Sequence, residues 1–310
     1  MKTSNLYTVV LSRTFSNNSI LRNELLSYFP NTKFYEESSQ ISEKEIPYFA
    51  NGAELMIVAL ENISENVLSR FDRLKVVSKF GVGIDNIDLE ACNKFNIKVG
   101  WEPGVNKVAV AELTCGYMIS LSRNIYTTSN QLKAGMWNKN GGKQLSECTI
   151  GIIGIGNIGK DLIRILTPFN SHIIVNDIIS QDDFYKDNGV TEVTKQYLLE
   201  HSDIVTIHTP LNDEMRYFIN RRTLSQMKKT AFLINTARGR IVDQVDLKWA
   251  LNNYIIAGAA IDVYEDEPVA DMELLSIHNL INTPHIGGNS NHAVLAMGRS
   301  AIKGLINNLS

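Results

Sequence analysis

Cysteine is scarce in this sequence of 310 residues, which contains only Cys92, Cys115 and Cys148. The three are far apart, their number is odd, and none belongs to a Cys-X-X-Cys pair. This distribution supports neither a disulfide framework nor a zinc knuckle, and we predict no metal site. Because unpaired cysteines are typical of a reducing compartment, we expect a cytoplasmic protein.

Long hydrophobic runs and an excess of charge of one sign are also absent. No segment approaches the roughly 18 consecutive apolar residues of a membrane-spanning helix, and the N-terminus lacks the apolar stretch of a signal peptide. The 30 Lys and Arg residues are nearly balanced by 33 Asp and Glu residues, for a net charge of −3. Since nucleic-acid binding requires a clustered basic surface, we expect neither a nucleic-acid nor a membrane partner.

Short apolar segments alternate with amphipathic ones along the whole chain. Runs rich in β-branched residues predict buried strands at 7–11, 54–60 and 75–80, with helical spacing at 19–28 and 64–72. A second, longer series of predicted strands follows at 149–156, 172–177, 203–209, 230–236 and 257–263. Such alternation predicts the α/β class, with doubly wound parallel sheets covered by helices on both faces.

A segment with a loop composition, 99–107, separates the two series, because it contains one proline and two glycines. A largely apolar helix is predicted after it, at 109–123. The tail, 291–310, has the pattern of one amphipathic helix, which we expect to pack back on the first domain. Two domains fit a chain of this length. We predict a discontinuous domain, 1–101 plus 286–310, and a second domain at 102–285.

The glycine-rich string Gly154-Ile155-Gly156-Asn157-Ile158-Gly159 ends one predicted strand and begins a predicted helix. Such a string also occurs in turns that bind nothing, but its position between a strand and a helix favours a dinucleotide site. The first glycine allows the tight turn, the second lets the backbone approach a pyrophosphate, and the third allows close packing of helix on strand. Free N–H groups at the helix start then bind the phosphates. We predict a Rossmann domain whose cofactor contacts include Gly154, Gly156, Asn157, Ile158 and Gly159.

The next predicted strand ends in Asp177, which lies 177 − 159 = 18 residues beyond the last glycine of the string. This is the distance at which an acidic residue accepts hydrogen bonds from the ribose hydroxyls. A carboxylate there also repels a 2′-phosphate, so we predict NAD rather than NADP. The alternative is that Asp177 is a turn residue at a strand end.

Three further segments lie at predicted strand ends: NTARGR (235–240), AIDVYEDEP (260–268) and NTPHIGG (282–288). Each has an ordinary explanation when it is taken alone. Arg238 suits a surface arginine, Glu267 a solvated acid before a proline, and His285 a loop histidine. Together, after a dinucleotide string, they occupy the positions where α/β sheets bind ligands.

With these segments the sequence resembles the D-isomer-specific 2-hydroxyacid dehydrogenases, from about Lys75 to Ala293. The segments that carry the resemblance are GVGIDNIDLEA (81–91), AVAELTCG (109–116), the glycine-rich string, HTPL (208–211), INTARGRIVD (234–243), AGAAIDVYEDEP (257–268) and TPHIGG (283–288). Among the branches of this family, the sequence is most similar to the phosphoglycerate dehydrogenases.

The resemblance implies three catalytic residues. Arg238 would hold the substrate carboxylate and the C2 oxygen with its planar donors. His285 would be the general acid in ketone reduction and the general base in alcohol oxidation. Glu267 would hydrogen-bond His285, orient it and stabilise the imidazolium.

The same resemblance implies the remaining binding residues. Asp262 would accept a hydrogen bond from the nicotinamide carboxamide. Backbone N–H groups of Val82 and Gly83, with Arg238 and His285, would bind the substrate. Further residues expected to line the cofactor, besides Arg238 and His285, are Thr209, Pro210, Thr236, Ala237, Gly287 and Gly288.

The family's fold combines a flavodoxin-like substrate domain with the Rossmann domain, and a hinge closes the active site between them. The resemblance also implies a homodimer formed through the region matching Ala109 to Trp137. The chain ends at Ser310, so we expect no C-terminal regulatory domain and no serine feedback.

One segment departs from the phosphoglycerate dehydrogenases. They carry a phosphate-binding arginine in the part matching 55–64, whereas this chain has no Arg or Lys between Glu54 and Arg70. Lys79 and Lys139 are alternative phosphate contacts, or simply solvated lysines. We predict a short, unphosphorylated 2-hydroxy or 2-keto acid as substrate.

Several alternatives remain open at this point. Within the enzyme class these are a short phosphoglycerate dehydrogenase and a glyoxylate/hydroxypyruvate reductase. A formate dehydrogenase is disfavoured, because those relatives have a glutamine in place of Glu267. Outside the class, some relatives are NAD(H)-sensing co-repressors that retain the catalytic residues, although this chain lacks the disordered tails that bind their partners.

Overall fold

The computed structural model describes residues 5–309. These residues divide into two compact units. The first contains the described part of Met1–Asn106 and of Ser290–Ser310, and the second is Lys107–Asn289. The first unit is therefore built from both ends of the chain, and the junctions lie a few residues beyond those expected from the sequence.

The first part of the first unit alternates strands with helices up to residue 106. Its elements are β1 (Thr8–Val10), α1 (Arg13–Ser16), α2 (Ser19–Tyr28), β2 (Thr32–Phe34), α3 (Ile46–Phe49), β3 (Leu55–Val58), α4 (Glu65–Leu68), β4 (Val76–Lys79), α5 (Leu89–Lys94) and β5 (Lys98–Gly100). The sheet is parallel with the order β2-β1-β3-β4-β5, which is the flavodoxin-like order.

The central strand β3 shows why this sheet is covered on both faces. All four of its residues are buried. Met56 and Val58 pack in one hydrophobic cluster, and Leu55 and Ile57 pack in another. Because side chains alternate across a strand, the two clusters lie on opposite faces of the sheet.

The second unit starts with two helices and continues with a longer α/β alternation. Its elements are α6 (Lys107–Ser122), α7 (Ile125–Lys133), β6 (Thr149–Ile153), α8 (Asn157–Leu166), β7 (His172–Asn176), α9 (Asp182–Asn188), β8 (Thr191–Glu192), α10 (Lys195–His201), β9 (Ile204–Ile207), α11 (Arg221–Leu224), β10 (Phe232–Asn235), α12 (Gln244–Asn252), β11 (Gly258–Ile261), α13 (Met272–Leu275) and β12 (Leu280–Asn282), with single 3-10 turns at Leu145–Glu147, Thr167–Phe169 and Gly239–Ile241.

The last helix, α14 (Asn291–Asn307), returns to the first unit. Its buried residues Met297, Ala301 and Leu305 recur every four positions and join the cluster of Leu55 and Ile57. This spacing places them on one face of the helix. The last helix therefore packs on the same cluster as the strands of the first unit. Within residues 5–309, no helix has the length and apolar character needed to cross a bilayer.

The sheet of the second unit is parallel with the order β12-β11-β10-β9-β6-β7-β8. Its first strand, β6, has β7 on one side and β9 on the other, so the strand order reverses next to β6 as in a Rossmann fold. The final residues of six strands are paired in register and form one row across the sheet: Asn176, Ile153, Ile207, Asn235, Ile261 and Asn282. Every loop that leaves this row begins at the same edge.

Both sheets and their parallel order match the predicted fold class, and α2 coincides with the helical range 19–28. Two local predictions differ from the structure in their bounds. The expected helix at 64–72 is limited to α4, and the loop at 99–107 begins inside β5. Four strands, β2, β5, β8 and β12, are absent from the ranges predicted from hydrophobic runs, and all four are edge strands of their sheets.

Candidate active site

The predicted catalytic residues lie directly beyond the row of strand ends. Arg238 follows β10, Glu267 follows β11, and His285 follows β12. Because β10, β11 and β12 are neighbours in register, their carboxyl-end loops start side by side. The sheet thus places three residues that are far apart in sequence at one edge.

His285 and Glu267 form a direct pair. The distance between His285 Nδ1 and Glu267 Oε2 is 2.7 Å, while Glu267 Oε1 accepts the N–H of Tyr264 at 3.0 Å. Burial raises the pKa of Glu267, but the hydrogen bond and charge of His285, the N–H of Tyr264 and the charge of Arg238 together outweigh it, and the pKa is lowered overall. An ionised Glu267 only accepts hydrogen bonds, so the imidazole carries its proton on Nδ1 in this pair and leaves Nε2 for chemistry.

Asp262 anchors the loop that carries His285. Its side chain is almost fully buried. Oδ1 accepts the hydroxyl of Thr283 and the N–H of Ile286 (2.8 Å), and Oδ2 accepts the N–H of Gly287 (2.8 Å). The carboxylate therefore receives its donors from the loop itself, a role that the resemblance to the family did not imply.

The same contacts hold His285 in an unusual backbone conformation. Its φ is +53°, in the left-handed region, and its N–H donates to the carbonyl of Thr283 at 3.0 Å. A residue other than glycine in this region costs on the order of 1 kcal/mol or more, which the surrounding hydrogen bonds must offset. The orientation of the imidazole is thus fixed at its backbone as well as at Nδ1.

Arg238 lies on a turn that is shaped by the buried residue Asn235. The Asn235 side chain donates to the Arg238 carbonyl (2.9 Å) and accepts the N–H of Ala237 (3.0 Å). The guanidinium of Arg238 donates to the carbonyl of Ala237 at 2.7 Å, and its charge contributes to the lowered pKa of Glu267. Thr236, on the same turn, shares a hydrogen bond with Thr114 of α6 at 3.1 Å.

The glycine-rich string forms a cradle at the start of α8. Gly154 has a φ of +95°, and an added Cβ would lie 2.7 Å from the carbonyl of His208. At Gly159 an added Cβ would lie 2.3 Å from the carbonyl oxygen of Gly154. Gly156 is the N-cap of the helix, and because it has no side chain the first N–H groups of the helix receive no side-chain hydrogen bond from it. A Cβ added at Gly156 would meet no atom within 4 Å. Open space in front of uncapped N–H groups fits a pyrophosphate.

Asp177 follows β7 and lies beside this cradle. One carboxylate oxygen accepts the N–H of Ile155, and the other accepts the N–H of Ile179 at 3.1 Å. Both the turn role and the cofactor role are compatible with these bonds, because each carboxylate oxygen has a second lone pair.

Two unpartnered polar atoms lie after β9, within the described part of the chain. They are the hydroxyl oxygen of Thr209 and Nδ1 of His208, both buried. Part of His208 reaches solvent, yet burial of the ring lowers its pKa to about 3, so the imidazole is neutral and pairs through Nε2 with the Thr206 hydroxyl at 3.0 Å. Buried polar groups in proteins normally have partners, and the Thr209 hydroxyl is one that a cofactor next to the cradle can bind.

Val82 and Gly83 belong to the first unit, in the loop after β4. The Val82 carbonyl accepts the indole N–H of Trp101 at 2.6 Å. Their expected role in substrate binding stays a prediction.

Lys79 is not a solvated lysine, and the suggested phosphate contact stays a prediction. The residue is buried, and its ammonium donates to the carbonyl of Ala59 and to the side chain of Asn86. Asn86 in turn donates to the carbonyls of Ala59 (3.0 Å) and Glu61 (2.6 Å). Lys79 thus fastens the loop after β4 to the segment after β3. Lys139, the other suggested contact, is exposed.

Other predicted cofactor residues fall along the same edge of the second sheet: Asn157 and Ile158 start α8, Pro210 follows β9, and Gly287 and Gly288 follow His285. No group of three or more His, Cys, Asp or Glu side chains is arranged as metal ligands would be, within residues 5–309. Sequence reasoning missed Asn235, Tyr264 and Thr283 as parts of the site, although they lie inside the quoted segments. Tyr117 of α6, which contacts Thr283, gave no signal in its apolar helix.

Comparison with known families gives one match over more than half of the chain. Residues 115–287 match the family described as "D-isomer specific 2-hydroxyacid dehydrogenase, NAD binding domain". This range contains the glycine-rich cradle, Asp177 and all three predicted catalytic residues.

Curated relatives carry several enzyme names. The chain is 34% identical over 267 residues to a D-3-phosphoglycerate dehydrogenase of Methanocaldococcus jannaschii (85% of this chain, 51% of that protein). It is 38% identical to a glyoxylate reductase of Thermofilum pendens (81% and 77%) and 31% identical to a hydroxypyruvate reductase of Thermotoga maritima (94% and 97%). The chain spans about half the length of the D-3-phosphoglycerate dehydrogenases it matches.

Solved structures share the whole fold. A D-isomer specific 2-hydroxyacid dehydrogenase of Polaromonas aligns with a TM-score of 0.89 at 26% identity, covering 98% of this chain and 96% of that one. A D-lactate dehydrogenase of Aquifex aeolicus, complexed with NAD and lactic acid, aligns with a TM-score of 0.85 at 26% identity (97% and 94%).

Proposed function

Because the chain belongs to the D-isomer specific 2-hydroxyacid dehydrogenase family, we propose that it interconverts a short D-2-hydroxy acid and its 2-keto acid with NAD. The observation that carries this proposal is the 2.7 Å contact between His285 Nδ1 and Glu267 Oε2. It lies on the edge of the sheet that also holds the dinucleotide cradle. An acid–base pair and a cofactor site at one edge are what a hydride transfer to a carbonyl requires.

When it is bound, the nicotinamide supplies or accepts the hydride. The rest of the chemistry falls to the side chains of this chain. In reduction, His285 gives a proton from Nε2 to the carbonyl oxygen, and in oxidation it removes the proton from the hydroxyl. Glu267 balances the charge of the protonated ring, and Arg238 binds the substrate carboxylate through its planar donors.

Three features support an unphosphorylated substrate. The segment 55–64 contains no Arg or Lys, and the ammonium of Lys79 is buried and bonded to Asn86 and Ala59. The match to the hydroxypyruvate reductase also extends over almost the whole of both chains. A charge-assisted hydrogen bond contributes about 1.5–3 kcal/mol, so a missing phosphate contact lowers kcat/KM roughly ten- to a hundredfold.

The proposal is tested by side-by-side kcat/KM values with NADH for glyoxylate, hydroxypyruvate, pyruvate and 3-phosphohydroxypyruvate. We expect a short unphosphorylated acid to lead the series. A tenfold or larger lead of the phosphorylated acid would show instead a phosphoglycerate dehydrogenase, the alternative that the 34% identity favours. Inactivity on all four acids would refute the proposed chemistry. The co-repressor alternative gains no support from the named relatives.

We further propose a homodimer, since the segment after α6 exposes a row of large apolar side chains. Ile125, Leu132, Met136 and Trp137 are all more than half exposed, and Trp137 is 80% exposed. Exposed apolar patches of this kind mark interaction sites. Light scattering should give twice the chain mass, and a Leu132→Ser/Trp137→Ser variant should give the monomer mass. A wild-type monomer would contradict the proposal.

We also propose that the protein resides in a reducing compartment, which its three buried, unpaired cysteines support.

A further inference from the structure

Thr283 lies at the centre of a hydrogen-bond network that ends at the loop of His285. It occupies the position between β12 and Pro284. Its hydroxyl bonds to Asp262 Oδ1 and to the Tyr117 hydroxyl, and its carbonyl accepts the hydroxyl of Tyr264 (3.0 Å) and the N–H of His285 (3.0 Å).

Bonding rules fix the direction of these hydrogen bonds. The Asp262 carboxylate only accepts, so the single proton of the Thr283 hydroxyl points to it. The oxygen of Thr283 is then an acceptor for Tyr117, whose hydroxyl must be the donor. The result is a directed chain that runs from Tyr117, on α6, through Thr283 to Asp262.

The end of this chain is the carboxylate that shapes the histidine turn. Asp262 accepts the N–H groups of Ile286 and Gly287 at 2.8 Å each, the two residues after His285. A carboxylate that rotates releases one of these bonds, and the left-handed conformation of His285 then loses its support. The Thr283 hydroxyl donates a hydrogen bond to Oδ1 of Asp262 and so opposes rotation of this carboxylate.

Tyr264 links Glu267 of the acid–base pair to Thr283. The N–H of Tyr264 donates to Glu267 Oε1 at 3.0 Å, and its hydroxyl donates to the carbonyl of Thr283 at 3.0 Å. Tyr117 and Tyr264 are both buried, so their hydroxyl groups cannot exchange these partners for bulk water.

We propose that Thr283 is the positioning residue for His285, and that Tyr117 acts on the histidine only through the Thr283 hydroxyl. Neither residue contacts His285 with its side chain, and the inference rests on the proposed function, in which His285 is the acid–base group. The charged groups around the network are Glu267, Arg238 and Asp262. A helix without any catalytic motif thus contributes to the geometry of the site through one hydroxyl group.

The test compares Thr283→Val, which removes the hydroxyl and keeps the shape, with Thr283→Ser, which retains it. With the preferred keto acid and NADH we expect Thr283→Val to lower kcat about tenfold while KM changes by less than about threefold, the size of one lost hydrogen bond. Thr283→Ser should restore most of the rate. The matched control for Tyr117→Phe is Tyr185→Phe, because Tyr185 is equally buried and its hydroxyl has no hydrogen-bond partner.

A double-mutant cycle tests the directed chain. Tyr117→Phe should lower kcat about threefold in the wild-type background and not at all in Thr283→Val, since its effect passes through the lost hydroxyl. Tyr185→Phe should leave kcat unchanged in both. Equal effects of Tyr117→Phe in the two backgrounds would overturn the order Tyr117–Thr283–Asp262.

A measurement without turnover separates this inference from the proposed function. In the cofactor-free protein, ¹⁵N NMR follows the protonation of the His285 ring with pH. A loosened pair with Glu267 should move the midpoint to lower pH in Thr283→Val and not in Thr283→Ser. An unchanged midpoint and kcat in Thr283→Val, even with a lower Tm, would reduce Thr283 to a structural role and overturn the proposal. A wild-type protein inactive on every keto acid would refute the proposed function, and the titration would still decide the positioning role.

Discussion

Replacing Glu267 by glutamine is the sharpest test of the acid–base pair. The glutamate uses both oxygens, Oε1 for the N–H of Tyr264 and Oε2 for His285 Nδ1. Glutamine keeps one oxygen for Tyr264 and turns its NH₂ group toward Nδ1. That group is a donor, so it can bond only to an imidazole that has no proton on Nδ1. Glu267→Gln therefore favours the neutral ring and removes the charge that balances the imidazolium.

The size of the effect follows from the exposure of the pair. A hydrogen bond between charged groups contributes about 1.5–3 kcal/mol, and 1.36 kcal/mol corresponds to one pH unit. The side chains of His285 and Glu267 are 37% and 28% exposed, so solvent screening favours the lower end. Reduction needs the protonated ring and slows as pH rises. We expect this alkaline limb to move about one unit toward lower pH in the variant.

The assay is kcat/KM for keto-acid reduction with NADH between pH 5 and 9. Glu265→Gln is the matched control, because Glu265 bonds to Tyr217 and to the N–H of Gln244 and not to His285. It removes the same charge two residues away and should leave the limb nearly in place. A Glu267→Gln profile that coincides with the wild type, in a folded protein, would refute the pairing as a source of the acid's protonation.

Four further predictions follow from the same contacts. His285→Ala should lower kcat by roughly 10²–10⁴-fold, while the NADH affinity measured by fluorescence stays nearly unchanged. The control His201→Gln, at an exposed histidine, should change neither kcat nor NADH affinity. An active His285→Ala protein would contradict the assignment. The wild type should have a higher kcat/KM with NADH than with NADPH. Asp177→Asn keeps an acceptor for the N–H of Ile155 but loses the charge, so it should reduce the NADH/NADPH ratio of kcat/KM about tenfold. Equal kcat/KM values of the wild type with both cofactors would contradict the prediction. Lys79→Met should lower the free energy of unfolding in urea by about 1–3 kcal/mol, whereas an unchanged stability with a selective loss of activity on the phosphorylated acid would make Lys79 a substrate contact. Burial lowers the pKa of His208 from 6.5 to about 3, so between these pH values the unfolded chain binds a proton at this residue and the folded chain does not. The stability of the protein should therefore fall as the pH is lowered from about 6.5, and Tm should decline less steeply in His208→Gln. An equal decline of Tm in the variant and the wild type would contradict this prediction.

The predictability of the strands depended on where each strand lies in its sheet. Central strands such as β3 and β9 are buried on both faces and appear in the sequence as short runs of mostly apolar residues. Edge strands have one unpaired side and need less apolar sequence. Both residues of β8 are exposed, and no residue of β2 is fully buried. Nothing in their composition separates them from loops, so only the paired neighbour identifies them as strands.

The site shows the same division between local and non-local information. The glycine-rich string and the three strand-end segments were recognisable because their residue types and order are local properties of the chain. The bonds of Asp262 were not, since its donors are 21 to 25 residues away on the loop after β12. From the sequence, Lys79 could be interpreted as a solvated lysine. Only the tertiary structure shows that its ammonium binds the side chain of Asn86 and the carbonyl of Ala59.

The sequence by itself determined the fold class, the NAD-binding string and the identity of the residues that lie at the strand ends. It could do so because hydrophobic periodicity and glycine placement are set within a few residues. Only the tertiary structure decided that Glu267 also accepts the N–H of Tyr264, why His285 tolerates a left-handed backbone, and how Tyr117 reaches Thr283 across 166 residues of chain. These features depend on the register of parallel strands and the packing of α6, because a hydrogen bond needs its two groups within about 3 Å and no local pattern encodes that distance.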